Sequence, residues 1–144
     1  EYRDEGKLAK AIEMYERALA HKDDYAYYCL GKLYTFNGAM PLDLKKALSY
    51  LEEGYARLPD DAGFCNLLGE IYFHGGQDVL PDYEQAFILL SKAYFKGSTW
   101  GADMLGTCYL NGLGTKTNLN MARKLFELHP RKPLSAGGLK RLRR

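Results

Sequence analysis

Apolar and small residues recur along the chain with the spacing of helices. Tyr27, Leu30, Gly31 and Tyr34 lie at i, i+3, i+4 and i+7, which is one face of a helix with 3.6 residues per turn. A Leu-Gly pair with a Tyr three residues after the Gly occurs three times, at Leu30-Gly31 and Tyr34, at Leu68-Gly69 and Tyr72, and at Leu105-Gly106 and Tyr109. Because these glycines recur at a nearly fixed period of 38 and 37 residues, the pattern predicts an array of repeated helical units.

A second pattern, with a small, a large and a small residue at i, i+4 and i+7, recurs before and between these faces. It occurs at Ala11, Tyr15 and Ala18, at Ala47, Leu51 and Gly54, and at Ala86, Leu90 and Ala93. A helical Gly costs about 1 kcal/mol relative to Ala, so it is tolerated where the missing side chain lets a neighbour approach. We therefore expect Gly31, Gly69 and Gly106 to be contact points between neighbouring helices.

These periodicities predict an all-α chain whose helices pack as antiparallel hairpins in an α/α superhelical solenoid. Turn signals separate the helices, as at Asn37-Gly38, Gly75-Gly76 and Gly112-Leu113-Gly114. The predicted helices span Glu1 to Arg3, Leu8 to His21, Tyr25 to Phe36, Leu44 to Arg57, Ala62 to His74, Tyr83 to Lys96, Trp100 to Leu110 and Met121 to Leu128.

The third unit carries a family resemblance. The run from Leu105 to Gly114, followed by Asn120-Met121-Ala122, resembles the Sel1-like repeat, in which Leu-Gly-x-x-Tyr-x-x-Gly-x-Gly precedes an acidic or amide residue and Lys-Ala. Two earlier units match in part, through Leu30-Gly31, Tyr34, Gly38, Asp43 and Lys46-Ala47, and through Leu68-Gly69, Tyr72, Gly75-Gly76, Asp82 and Gln85-Ala86. The opening around Glu5-Gly6-Lys7 and Lys10-Ala11-Ile12 resembles a tetratricopeptide repeat, which has a shorter turn between its helices. The resemblance covers roughly residues 1–130 and implies a solenoid of the tetratricopeptide-like superfamily.

The repeat phase divides the chain into units. We place a partial unit at 1–22, full units at 23–58, 59–97 and 98–130, and a basic C-terminal tail or cap at 131–144. The first residue falls in the last turn of a unit's first helix. We therefore expect either that the chain is an excised part of a longer solenoid or that a preceding stretch was removed, and the localisation stays open.

Charge is unevenly distributed along the chain, whose formal net charge is +2. Residues 131–144 hold six basic residues and no acid, so residues 1–130 carry 14 basic and 18 acidic groups, a net of −4. Binding of the tail to nucleic acid or anionic lipid is one interpretation. We favour a solvated end that contacts the acidic array, or a cap in which Leu134, Leu139 and Leu142 cover the last hairpin. No nucleic-acid partner is therefore expected.

The usual signatures of catalysis and cofactor binding are missing from the sequence. It has no Gly-x-Ser-x-Gly, no His-Glu-x-x-His and no Cys-x-x-Cys, and the segment 111–116 reads as an interhelical turn rather than a phosphate loop. The acidic pairs Asp23-Asp24 and Asp60-Asp61 precede helices and are expected to cap them. Neither the three cysteines nor the three histidines have metal-ligand spacing, so we expect no metal, no cofactor and free thiols. The longest apolar run is also far shorter than the roughly 20 residues of a membrane span.

The remaining candidate for a functional site is a surface on the first helix of each unit, on the side away from the Leu-Gly face. In tetratricopeptide and Sel1-like arrays the corresponding stripe lines a concave face that receives a partner, so the resemblance implies that role here. Aromatic rings among polar groups are typical of protein-binding surfaces, although some of these rings could instead pack into the core between repeats. The predicted partner-binding residues are Tyr25, Tyr28, Lys32, Phe36, Asn66, Glu70, Phe73, His74, Trp100, Asp103, Thr107 and Asn111.

These observations favour a non-catalytic protein–protein interaction module or scaffold that binds a partner peptide or protein on this concave surface. Two alternatives stay open at this point. One is a specific inhibitor or immunity-type protein that blocks one enzyme with the same surface. The other is an enzyme whose active site carries none of the sequence motifs named above. Trp100 beside Asp103 suits a peptide that carries an apolar side chain flanked by Lys or Arg.

Overall fold

The computed structural model describes residues 2–35 and 43–130, with side chains from residue 6 onward. This part of the chain forms seven helices and a single isolated bridge between Gly76 and Val79. The helices are α1 (Tyr2–Ala20), α2 (Tyr25–Thr35), α3 (Leu44–Arg57), α4 (Ala62–His74), α5 (Tyr83–Phe95), α6 (Ala102–Asn111) and α7 (Leu119–Leu128).

The helices pack as successive hairpins. The most extensive contacts lie within the pairs α2 and α3, α4 and α5, and α6 and α7. The second helix of each pair then packs against the first helix of the next, and α1 packs on α2 in the same way. The first helices α2 and α4 also touch each other. The architecture is therefore the predicted all-α, α/α solenoid.

The three repeated glycines mark the closest approach within each hairpin. A Cβ on Gly69 would lie 2.8 Å from Cγ of Leu90, and one on Gly106 would lie 2.9 Å from Cε1 of Phe126. A Cβ on Gly31 would collide with Leu51 in the same way. Each glycine thus receives a large side chain of the following helix, which confirms its predicted contact role.

The core runs along the array in two clusters of buried side chains. The first joins α2, α3, α4 and α5 and includes Leu30, Leu51, Phe64, Leu68 and Leu89. The second lies farther along and consists of Ala86, Leu90, Met104, Leu105 and Leu125. Since each hairpin is too small to bury its apolar face alone, stacking of neighbours supplies the burial.

Short polar side chains cap the N-termini of four of the helices. The side chains of Asp43, Asp61, Asp82 and Asn118 accept hydrogen bonds from backbone N–H groups in the first turns of α3, α4, α5 and α7. These bonds satisfy donors that have no partner within the helix. The predicted capping role of Asp61 is confirmed, and Asp23 likewise accepts a bond from the Tyr25 N–H before α2.

Three predicted helix starts were wrong. Residues 2–20 form one continuous helix, because nothing lies within 4 Å of a Cβ on Gly6 and no contact at this position favours a break. Trp100 lies in a turn before α6, which begins at Ala102 after Gly101. In contrast, α7 begins at Leu119, two residues earlier than predicted, because Asn118 caps it. The predictions for Phe36 and for the tail at 131–144 fall outside the described residues.

Candidate functional site

One end of the predicted binding surface is a pocket that we call the tyrosine pocket. It has a volume of about 350 Å3 and is lined by Tyr15, Tyr25, Tyr28, Cys29, Lys32 and Leu33. Tyr15 comes from α1 and the other residues come from α2. The ring of Tyr25 is 54% exposed and stacks on Tyr28 with 5.3 Å between ring centroids. The pocket therefore presents aromatic faces, phenol hydroxyls and the ammonium group of Lys32 to solvent.

Packing against α4 fixes the position of Tyr28. Its ring meets Phe64 edge to face with centroids 5.7 Å apart, and a Cβ on Gly63 would lie 2.9 Å from Cε2 of Tyr28. The small residue at position 63 thus makes room for the ring above the start of α4. Burial raises the pKa of the Tyr28 phenol, and the neighbouring Tyr25 adds to the rise. Tyr28 is therefore partly a core residue and partly a lining residue.

The second half of the surface is a polar cluster between α4 and the start of α6, which we call the Glu70–Trp100 cluster. It comprises Asn66 and Glu70 on α4, Trp100 in the turn before α6, and Asp103 in the first turn of α6. The Trp100 side chain lies beside Glu70 and favours its ionised form. Asn66 Nδ2 donates to Ser98 Oγ over 2.7 Å. The indole remains 62% exposed, so the cluster holds an aromatic ring at the surface.

Two buried oxygen atoms in this cluster have no hydrogen-bond partner. They are Oδ1 of Asn66 and Oε2 of Glu70. Burial raises the pKa of the Glu70 carboxyl, and the negative charge of Asp103 raises it further, whereas the Trp100 side chain and His74 lower it. A buried carboxylate without a full set of donors is costly, so this arrangement favours a proton or a cation at Glu70.

The other predicted residues are less uniformly placed. Phe73 is half-buried and packs edge to face on Tyr83 of α5, with centroids 5.9 Å apart, so its ring belongs in part to the hairpin. His74 is exposed and meets Phe73 at 5.0 Å. Thr107 donates a hydrogen bond to the Asp103 carbonyl of its own helix, and Asn111 is exposed at the end of α6. The surface therefore consists of two separate groups of residues, the tyrosine pocket and the Glu70–Trp100 cluster, rather than one continuous stripe.

Sequence reasoning left some lining residues out of the predicted surface. Tyr15 was recognised only as the large residue of a helix contact, although it lines the tyrosine pocket. Ser98 was not singled out, yet it accepts the hydrogen bond from Asn66 and lies 3.5 Å from the Trp100 N–H. The small-large-small pattern could have indicated that Tyr15 faces α2. No sequence signal pairs Ser98 with a residue 32 positions earlier.

A larger cavity, of about 790 Å3, lies between the start of α5 and the loops that precede α5 and follow α6. It is lined by Tyr72, Leu80, Pro81, Asp82, Tyr83, Glu84, Gly112, Gly114, Thr115 and Lys116. Gly114 has a φ of +70°, and a Cβ there would collide with the backbone of Tyr83. The segment 111–116 is therefore an interhelical turn that packs on the start of α5, as its glycines predicted.

The three cysteines are free thiols, and the described residues hold no cluster suited to a metal ion. Cys29, Cys65 and Cys108 are all free, and burial raises the pKa of Cys108 to about 11. Residues 2–35 and 43–130 contain no group of three or more His, Cys, Asp or Glu side chains that could hold a metal ion. Within the same ranges no helix is long and apolar enough to cross a membrane.

Comparison with known protein families decides what the chain is. A profile of the Sel1 repeat matches four times, over residues 5–23, 24–57, 63–98 and 101–128. The chain belongs to the Sel1 repeat family. Sel1 repeats are generally protein–protein interaction modules and typically serve as non-catalytic scaffolds. No curated protein matches this Sel1 repeat chain.

Solved structures share the Sel1 repeat fold. The crystal structure of a Sel1 repeat protein from Oxalobacter formigenes aligns with a TM-score of 0.66 at 20% identity, over 80% of this chain and 86% of that one. The structure of c5321, a protective antigen of uropathogenic Escherichia coli strains with an SLR fold, aligns with a TM-score of 0.66 at 26% identity. That alignment covers 82% of this chain and 25% of the antigen.

Proposed function

We propose that this Sel1 repeat chain is a non-catalytic binding module that receives a partner protein or peptide on the concave surface formed by α2, α4 and α6. The observation that carries the proposal is that exposed aromatic rings lie beside polar groups on α2 and next to α4 and α6. Tyr25 is 54% exposed beside the tyrosine pocket, and Trp100 is 62% exposed above Glu70. Large rings held in place next to polar groups are the usual anchors of protein interfaces.

Packing supports the anchoring role of both rings. Tyr25 stacks on Tyr28, which is itself fixed against Phe64. The Trp100 side chain lies beside Glu70, and the backbone N–H of Trp100 donates to Ser98 Oγ over 3.5 Å. An anchor that is already ordered loses little conformational entropy on binding, so such rings contribute more to affinity than mobile ones.

The test compares partner capture by variants of the full chain. Trp100→Ala and Phe73→Ala should each weaken binding of a co-purifying partner at least roughly tenfold, because truncation of an anchor typically costs about 2 kcal/mol or more. Phe95→Ala is the matched control, since Phe95 is an 88% exposed ring at the end of α5, on the second helix of its hairpin. Circular dichroism checks that helix content is unchanged.

Two outcomes separate the proposal from its alternatives. Full binding by the Trp100→Ala, Phe73→Ala double variant, with its fold intact, would place the partner on another surface. Recovery of one stoichiometric enzyme whose activity is abolished by the chain would show an inhibitor rather than a scaffold. Quantitative mass spectrometry of the captured proteins, followed by an activity assay, distinguishes these results.

A further inference from the structure

The Glu70–Trp100 cluster is rich in acceptors and poor in donors. Asn66 is 8% exposed, and its Oδ1 atom has no partner. This oxygen faces the start of α6, where a Cβ on Gly101 would lie 3.6 Å away. One turn later on the same face of α4, Oε2 of Glu70 is also buried and unpartnered, and the Trp100 side chain lies beside the same carboxylate.

A donor brought by a ligand would complete this arrangement. Buried oxygen atoms without donors cost free energy, and two of them lie at i and i+4 on one face of α4. The carboxylates of Glu70 and Asp103 give the cluster negative charge. The exposed Trp100 ring adds a π face, which attracts cations.

A guanidinium group fits these features better than an ammonium group. It is planar, carries five N–H donors in a fixed fork, stacks on aromatic rings and is more weakly hydrated than the ammonium of lysine. A charge-assisted pair with a carboxylate is also stronger than a neutral hydrogen bond. We propose that the Glu70–Trp100 cluster binds an arginine side chain of the partner, with the guanidinium paired with the carboxylate of Glu70 and stacked on Trp100. The inference rests on the proposed function and identifies the partner side chain that the Glu70–Trp100 cluster binds.

Trp100 provides a direct readout because it is the only tryptophan in the chain. Its indole N–H gives one assigned nuclear magnetic resonance signal, which can be followed while the full chain is titrated with N-acetyl-arginine amide. N-acetyl-citrulline amide is the matched probe, because it has nearly the same shape and no charge. We expect a saturable shift with the arginine probe and no saturable shift with the citrulline probe.

Single substitutions test whether arginine binds at the Glu70–Trp100 cluster. Glu70→Gln should weaken arginine binding at least roughly tenfold, because it removes the charged acceptor. Asp103→Asn lies on another element and should weaken binding roughly threefold through lost attraction. Glu127→Gln is the control, since Glu127 is exposed on α7, and should leave the affinity unchanged. If Glu70→Gln does not fold, the Asp103→Asn result decides the question.

The outcomes also separate this inference from the proposed function. Equal shifts with the arginine and citrulline probes, or unchanged arginine binding in the Glu70→Gln and Asp103→Asn variants, would overturn the arginine assignment. If partner capture is lost in Trp100→Ala but kept in Glu70→Gln, the surface binds its partner without an arginine in this cluster. If both variants capture the partner fully, the proposed function fails together with the inference.

Discussion

At the scale of single residues, Glu70 is a predicted surface residue whose carboxyl group is partly removed from water. It is half-buried, one of its oxygen atoms has no partner, and burial raises the pKa of its carboxyl. The Trp100 side chain and His74 favour the ionised form, whereas Asp103 opposes it. A carboxylate kept in this setting costs stability, which is a common feature of residues that serve binding rather than folding.

The raised pKa of Glu70 predicts a pH dependence of stability. The folded state holds the proton more tightly than the unfolded chain, so the free energy of unfolding should fall as pH rises from the ordinary pKa of 4.5 through the raised value. Below 4.5 the carboxyl is protonated in both states, and this contribution vanishes. The Glu70→Gln variant has no carboxyl group to titrate at this position. The difference in unfolding free energy between wild type and variant therefore gives the contribution of the Glu70 carboxyl.

Urea melts at several pH values on both sides of 4.5 provide the measurement. Wild type should lose stability relative to Glu70→Gln with increasing pH, and the difference should level off above the raised pKa. A difference that stays flat with pH would mean that the Glu70 carboxylate is as well solvated in the folded state as in the unfolded chain.

At the scale of helices, glycine has a different structural role at a packed position and at an exposed one. Gly69 lies in the middle of α4, where a Cβ would be 2.8 Å from Leu90 of α5. Gly6 lies in α1, where nothing approaches within 4 Å of the same atom. The first glycine allows two helices to pack closely, whereas the second only lowers the helix propensity of an exposed position.

This contrast predicts opposite effects of the same substitution. Gly69→Leu should lower the free energy of unfolding by about 1 to 3 kcal/mol, because the added side chain overpacks the α4–α5 contact. Gly6→Leu should raise it by up to about 1 kcal/mol, because it improves helix propensity without a clash. Thermal melts followed by circular dichroism compare the two, and an unchanged midpoint for Gly69→Leu would contradict the close packing.

At the scale of the whole molecule, each helix depends on its neighbours in the array. The helix α4 packs against α2, α3 and α5 and contributes Phe64, Cys65 and Leu68 to the core. The helix α1 packs chiefly on α2, and its apolar residues are only half-buried. Stability in such an array is roughly a sum over units and their interfaces, so it should vary along the chain.

Amide hydrogen exchange should show this variation directly. We expect the amides of α4 to be the slowest to exchange and those of α1 to be markedly faster, because local opening of α1 breaks only one interface. Exchange measured by mass spectrometry on peptides from both helices tests the order. Equal protection of α1 and α4 would instead indicate that residues 2–130 open as one cooperative unit.

The sequence alone determined the repeat and most of the helix bounds, because periodicity and capping are local, and it indicated the glycine contacts, which recur between the two helices of each hairpin. The bounds Leu44–Arg57 and Ala62–His74 were predicted without error from periodicity and capping. Tertiary structure decided which predicted surface rings stay exposed. Phe73 packs on Tyr83, whereas Trp100 lies in a turn beside Glu70, which is 30 positions away. Contacts of that range depend on how hairpins stack, so no local pattern could assign them.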